Sequence, residues 1–350
     1  MDHGGDRADE ILAGVIMLAV SAFGNVVNIA VVVLLFRTPS FHNAFGLICA
    51  SHLIADIGVL LIFSFWAAPA ALFGFPDTIT QTHFGGSMGQ LAILFWYAST
   101  YGHIQVAVNR LLAIKYPLLY KRVFSIRNTK IILAVFWVIS AANVFAYFWR
   151  ECDFKFNVHA LTWFYAPTYC GYIIAFYMTL VHESALCAIV IAIDTIAFFA
   201  IYAEAKKPSK SFDEAKMLKQ NTNLYVQGCV QTVTFALAVL SFFVFSKFAK
   251  DKWGIFASTT CVWEVAHAVD GLILIAFHRK FRMAFGLRTL FCRKEIKSDT
   301  TGIHPSTLIL IAFHKKFRMA FGLRTLFCRK EIKRETTGIH PSTLHHKEFI

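Results

Sequence analysis

Residues 11–36 read ILAGVIMLAVSAFGNVVNIAVVVLLF, a run without one ionisable side chain. About 20 apolar residues in helical form cross the hydrocarbon core of a bilayer, because each adds about 1.5 Å and the helix satisfies its own backbone hydrogen bonds. Ile11 to Phe36 therefore predicts a transmembrane helix, and Ala44 to Phe73 and Thr129 to Trp149 repeat the pattern. Gly89 to Ile114, Leu180 to Tyr202, Tyr225 to Phe245 and Trp253 to Phe277 reach the same length with a few polar or ionisable groups each. The expectation is an all-α membrane protein, a bundle of seven transmembrane helices.

Composition agrees. Of 350 residues, 57% are hydrophobic and 16% charged, with a mean hydropathy of +0.56, whereas a soluble domain carries about 25% charged residues. The 36 Phe suit helix faces packed on acyl chains. A net charge of +13 would suggest nucleic acid in a soluble chain, but here the Lys and Arg lie between the apolar runs and in the tail, so no nucleic-acid partner is expected. The eight Cys form no CxxC pair, and no HExxH, phosphate loop or Ser-His-Asp set can be assembled, so neither a metal, a cofactor nor an enzyme is expected. No Asn-x-Ser/Thr sequon marks an exterior loop. Residues 1–10 carry four acids and no basic n-region, so the first span is expected to act as its own uncleaved insertion signal.

The segments after the first, third and fifth spans hold eleven Lys and Arg, against six in the N-terminal segment and the other three loops. Positive loops stay in the cytosol, which predicts the N-terminus outside and the C-terminus cytoplasmic. The expected divisions are a short extracellular segment at 1–10, a seven-transmembrane domain at 11–277, a cytoplasmic amphipathic helix and tail at 278–307, and a duplicated tail segment at 308–350. In that tail, Leu272 to Thr307 recurs as Leu308 to Thr343 with three differences. Two copies fall short of a solenoid and read as a recent exon duplication or a gene-model fault. Each copy carries a basic amphipathic stretch suited to the inner leaflet, with Cys292 and Cys328 as candidate palmitoylation sites; the alternative is a disordered basic tail.

An ionised side chain inside a bilayer costs at least about 2.5 kcal/mol, so intramembrane charges face the bundle interior and tend to mark function. His52 and Asp56 lie one turn apart in the second span, and Glu264, His267 and Asp270 recur every third residue in the last. Each set shares one helix face. Asp56 and Asp270 fall at comparable depth if their spans run antiparallel, which permits a shared water or cation network. The alternative is a polar clamp between helices with no regulatory role.

At the inner end of the third span stands Asn109-Arg110-Leu111-Leu112-Ala113-Ile114, followed by Pro117, Leu118 and Tyr120. This block resembles the Asp-Arg-Tyr region and following loop of rhodopsin-like receptors. The likeness extends to Gly24-Asn25, Leu53-x-x-Asp56, Trp137, and Asp270-Gly271-x-x-Leu274 before Phe281. Closer still is the nematode serpentine chemoreceptor family called Srx, similar in Phe45-Gly46-Leu47-Ile48-Cys49, Asn109-Arg110, Gln227 and Trp263-x-x-x-His267-x-x-Asp270-Gly271, over roughly residues 12–285. The resemblance implies a G-protein-coupled receptor with Asn109, Arg110, Pro117 and Tyr120 at the coupling switch, and Asn25, Asp56, His267 and Asp270 in an intramembrane polar network. Asn109 replaces the acidic partner of the arginine, Leu111 replaces the aromatic, Gly271 stands where rhodopsin-like receptors have Pro, and the sixth span has no Pro.

Gly85 occupies the place where those receptors put a disulfide Cys, while the second outer loop holds Cys152 and Cys170 around Trp163. An exterior location favours a disulfide closing that loop; the alternative is two free thiols. A ligand site is expected in the outer half of the bundle, with Gln90, Phe95, His182, Glu183, Trp263 and Glu264 as lining candidates. The resulting expectation is a chemosensory receptor, multi-pass in the plasma membrane of a sensory neuron. It would bind a small odorant-like or pheromone-like molecule and activate a heterotrimeric G protein. The alternative is a transporter relaying protons through Glu264, His267 and Asp270, although the spans lack the paired repeats usual in that class.

Overall fold

The computed structural model describes residues 3–207 and 212–285, most of them helical. The long helices are α1 (His3–Arg37), α2 (Ala44–Phe73), α3 (His83–Lys115), α4 (Ile126–Asn143), α5 (Tyr169–Lys206), α6 (Phe212–Phe243) and α7 (Lys252–Phe277). A short α8 (Arg279–Ala284) follows. Residues that carry the tail duplication, Cys292 and Cys328 lie outside the described residues.

The chain opens these helices with side-chain caps. Asn43, Thr82, Ser125, Thr168 and Asp251 each accept a bond from a backbone N–H three residues on, at the starts of α2, α3, α4, α5 and α7. Such caps satisfy amides that have no partner within the helix. Gly74, with φ of 64°, ends α2 in the left-handed conformation that only glycine adopts without strain. Wider π-helical turns interrupt α2 at Phe63–Ala67, α5 at Ile174–Val181 and α7 at Ala257–Cys261. All three insertions lie toward the same end of the bundle as the hairpin described below.

Seven spans were expected; among the described residues five helices, α1, α2, α5, α6 and α7, are long and apolar enough to cross a bilayer. A sixth is counted if α4 is joined to the preceding helical segment Pro117–Val123, from which it bends by 68°. The two shortfalls have different causes. α4 has 18 residues, about 27 Å of helix, and its first five residues include Arg127, Asn128 and Lys130. It also stops at Asn143, not at Trp149 as the apolar run suggested, because Phe145–Phe148 tightens into a 3₁₀ turn. α3 is long enough at 33 residues, but it runs through the middle of the bundle and buries Ser99, Thr100, His103, Gln105, Asn109 and Arg110 against its neighbours. Its low hydropathy records contact with protein where the outer helices meet their surroundings.

The burial pattern is the reverse of a water-soluble protein's. Phe65 and Phe199 are 77% and 62% exposed, and apolar side chains of α1, α4, α5 and α6 point outward with them. Asn28, Asp56, Glu183 and Glu264 are fully enclosed. Apolar faces turned outward and polar groups turned inward suit a hydrocarbon solvent.

Between α4 and α5 the chain forms an antiparallel hairpin, β1 (Phe154–Asn157) and β2 (Thr162–Tyr165), with Phe154 paired to Tyr165 and Asn157 to Thr162. The hairpin packs into the end of the bundle, burying Phe154, Phe156, Leu161 and Trp163. Cys152 and Cys170 are disulfide-bonded, Cα to Cα 5.1 Å, and enclose it. Polar contacts tie neighbouring ends to it. His159 Nδ1 lies 2.7 Å from Glu10 of α1, Thr260 of α7 donates to the Leu161 carbonyl at 2.8 Å, and Lys252 of α7 pairs with Asp6 and Asp9.

Candidate functional site

Three layers of chemistry stack along the bundle. At the hairpin end, Trp163 and Trp263 meet edge to face at 5.9 Å, and Phe154 stacks on Trp163 at 5.5 Å. Beside them lies a cavity of about 30 Å³ bordered by Ile93, Trp96, Phe154, Phe243 and Trp263. A small-molecule pocket usually measures about 300–1,000 Å³, so the hairpin's aromatics fill the space expected for a ligand.

Of the six ligand candidates, Trp263 borders this cavity and the other five point elsewhere. Gln90 donates to the Val144 carbonyl at 3.1 Å, and Phe95 packs on Trp137 and the open face of Gly58. His182 Nε2 meets the Tyr101 hydroxyl at 3.2 Å, itself bonded by Asn143, while Nδ1 faces Glu183 at 3.5 Å. Glu264 is fully enclosed near Ser21 of α1, and neither of its carboxylate oxygens is hydrogen-bonded. Rotation about each helix, which spacing alone does not give, decides where these side chains point.

The middle layer is a polar cluster joining α2, α3, α6 and α7. Trp263 Nε1 donates to His267 Nε2 at 3.1 Å; an indole nitrogen only donates, so that ring is neutral and Nδ1 carries its proton toward Asp56 Oδ1, 2.7 Å away. Ser99 also donates to Asp56 Oδ1 at 2.7 Å. His52 Nε2 lies 3.2 Å from Asp270 Oδ2 and 3.4 Å from Asp56 Oδ2, and Gln231 donates to Asp270 Oδ1 at 3.1 Å. Asp56, His267 and Asp270 thus meet as one cluster. Asn25 does not join it: its amide donates to Ser64 at 3.3 Å. At this depth α1 bonds to α7 through Asn28, which donates to the His267 carbonyl and accepts from the Gly271 N–H. Replacement of the usual Pro by Gly271 provides that N–H.

The third layer, at the far end, centres on Arg110. Its Nη2 pairs with Asp194 Oδ1 of α5 at 2.5 Å, and Nη1 donates to the carbonyls of Leu224 and Tyr225 on α6. Thr232 donates to the other Asp194 oxygen at 2.9 Å. Asn109 makes no bond to Arg110, and its amide nitrogen is buried unpartnered. The guanidinium lies so close to α6 that a Cβ on Gly228 would collide with it. Asp194 escaped the sequence reading, although a carboxylate midway along Leu180 to Tyr202 carried the same signal as Asp56.

Arg110 and Asn109 line a cavity of about 590 Å³ shared by α3, α6, α7, α8 and the α1–α2 connection, with Tyr120, Gln227 and Lys280 on its walls. Pro117 stands outside it, setting the first turn of Pro117–Val123.

Apolar helices wrapped around a buried polar core, with a buried arginine–carboxylate pair beside a basic cavity, fit a multi-pass membrane protein. The match to known sequences makes that class specific: residues 18–278 match the serpentine type 7TM GPCR chemoreceptor Srx family, and the chain belongs to it. Among relatives, the chain is similar to serpentine receptor class X 45 of Caenorhabditis elegans, 20% identical over 292 residues covering 77% of this chain and 80% of that protein. It is also similar to serpentine receptor class X-43 of the same organism, 20% identical over 282 residues covering 79% and 86%.

Proposed function

We propose that this chain is a chemosensory receptor of the plasma membrane that crosses the bilayer seven times, with its N-terminus outside. It would bind a small apolar molecule at the hairpin end and activate a heterotrimeric G protein at the other. The observation that carries the reading is the buried Arg110–Asp194 pair at the wall of the 590 Å³ cavity. A guanidinium held by one carboxylate and two carbonyls can exchange those partners for carbonyls of a docked protein, which is what a two-state bundle requires. The distribution of Lys and Arg supports a cytosolic location for that end. α3 serves as a span on this reading because its polar groups face other helices, and α4 because its exposed charges, Arg127 and Lys130, lie at one end of it.

Access for a ligand requires the Trp163, Phe154 and Trp263 rings to part, since the present cavity holds no more than a water or two. Residues 11–277 then form the receptor domain, and Cys292 and Cys328 remain candidates for lipid attachment. The transporter alternative is not favoured by the family match, and Glu264 faces α1 while His267 and Asp270 face the cluster.

Arg110→Ala tests the coupling role. In cells expressing the full chain, the variant is expected to reach the surface and to lose G-protein activation by at least tenfold when odorants that activate the wild type are applied. Wild-type activation by a surface-matched variant would refute the assignment.

A further inference from the structure

The middle layer brings together more ligating atoms than a switch needs. His52, His103 and Asp270 come from α2, α3 and α7, and one ligating atom of each lies within 4.8 Å of the others. The His103 ring stands edge-on to His52 at 4.5 Å and flat on Phe235 at 4.9 Å, and no hydrogen bond joins it to any described residue. A buried imidazole without a partner forfeits bonds it would make in water. A second atom is equally unused: Asp56 Oδ2 is buried, accepts no hydrogen bond, and lies 3.4 Å from His52 Nε2. Beside the cluster, on the side of His103, lies a void of about 10 Å³ bordered by Ser99, His103, His267 and Asp270, the size of one water or one ion.

We propose that His52, His103 and Asp270 form a binding site for one zinc-like transition-metal dication at the centre of the bundle, with Asp56 Oδ2 or a water as fourth ligand. Charge argues for a dication: two carboxylates, Asp56 and Asp270, are enclosed together, and the His267 imidazole beside them is neutral. Two positive charges balance that pair inside a bilayer. Donor type selects the metal, because two imidazoles with carboxylate oxygen suit zinc and its neighbours, whereas sodium, calcium and magnesium prefer oxygen alone.

Geometry requires little movement. Ligand atoms about 2.0–2.2 Å from zinc in a tetrahedron stand about 3.3 Å apart, and His52 Nε2 and Asp270 Oδ2 are already 3.2 Å apart. His103 must close the remaining gap of about 1.5 Å to reach that spacing. Binding displaces the proton between His52 Nε2 and Asp270, which leaves to solvent. Two neighbours hold the ligands in place. Gln231 occupies Asp270 Oδ1 and leaves Oδ2 for the metal, and Gly102 lets the His52 ring approach α3, where a Cβ would strike Nδ1. Ligands separated by 51 and 167 residues leave no spacing motif, which is why the sequence predicted no metal.

The test uses purified full-length protein in lipid nanodiscs, stripped with a chelator and titrated with Co²⁺ as a coloured substitute for zinc. One equivalent is expected to bind with the intense visible absorption of a tetrahedral site, to be displaced by Zn²⁺, and to raise the melting temperature by several degrees. His103→Leu is expected to abolish the band and weaken binding at least tenfold, while the exposed His83→Ala retains both. Any cobalt held by other histidines is common to all three proteins and is separated from the site by its lack of the tetrahedral band. A folded His103→Leu protein with the wild-type band overturns the site. Wild-type protein showing neither the band nor the temperature rise overturns it as well, whatever the variants do. The readout is binding to the isolated protein, so its failure is distinguishable from failure of the receptor reading.

Discussion

Asp194→Asn is expected to raise basal G-protein activation at least tenfold in cells expressing the full chain at matched surface levels. The carboxylate holds Arg110 Nη2 at 2.5 Å and accepts from Thr232 at 2.9 Å, and both partners of the ion pair are buried. Removing one partner of a buried pair costs about 3–5 kcal/mol, because the other charge is left uncompensated. Only the part of that cost specific to the locked state shifts the populations, and a tenfold shift needs about 1.4 kcal/mol. Asparagine keeps the size and an acceptor oxygen, so the change isolates the charge. Basal activity equal to wild type would show that the pair does not restrain the bundle.

The second large effect concerns the hairpin. Replacing Cys152 and Cys170 together by Ser is expected to lower the melting midpoint of the purified protein by several degrees and to abolish the odorant response. The bond closes a separation of 18 residues, and opening a loop of that length costs about 3 kcal/mol. That loop carries Phe154, Phe156 and Trp163 into the bundle, so loosening it releases the aromatic plug from Trp263. Thermal unfolding followed by tryptophan fluorescence checks the prediction. An unchanged midpoint would mean that the hairpin is held by its side chains alone.

Much of the architecture was legible in sequence because a bilayer imposes a length on every apolar run. Ile11 to Phe36 could be little else, and its helix extends across the whole run. Local chemistry was harder to read. The aromatic cluster Phe145, Phe148 and Trp149 continues the apolar pattern of α4, yet Phe145 meets the other two rings edge to face after the helix has ended. α3 differs in the opposite sense: Gly89 to Ile114 reads as a span, yet its polar residues face the bundle interior and it is not among the five helices apolar enough to cross.

For the site, spacing along one helix showed that His267 and Asp270 share a face, and their meeting with Asp56 and His52 followed from depth alone. Partners across helices depend on rotation, which one sequence does not encode. Arg110 therefore found Asp194 and not Asn109, Glu264 is enclosed with neither carboxylate oxygen hydrogen-bonded, and Asn28 took the bridging position that Asn25 was expected to fill. Each of the missed residues is polar within an apolar run, and that signal applies to any intramembrane carboxylate or amide.

Topology carries the functional reading, and epitope tags at both ends of the full chain test it most directly. In intact cells an antibody is expected to label the N-terminal tag at once and the C-terminal tag only after the membrane is permeabilised. Labelling of both tags from the same side would put an even number of crossings between them and contradict the receptor.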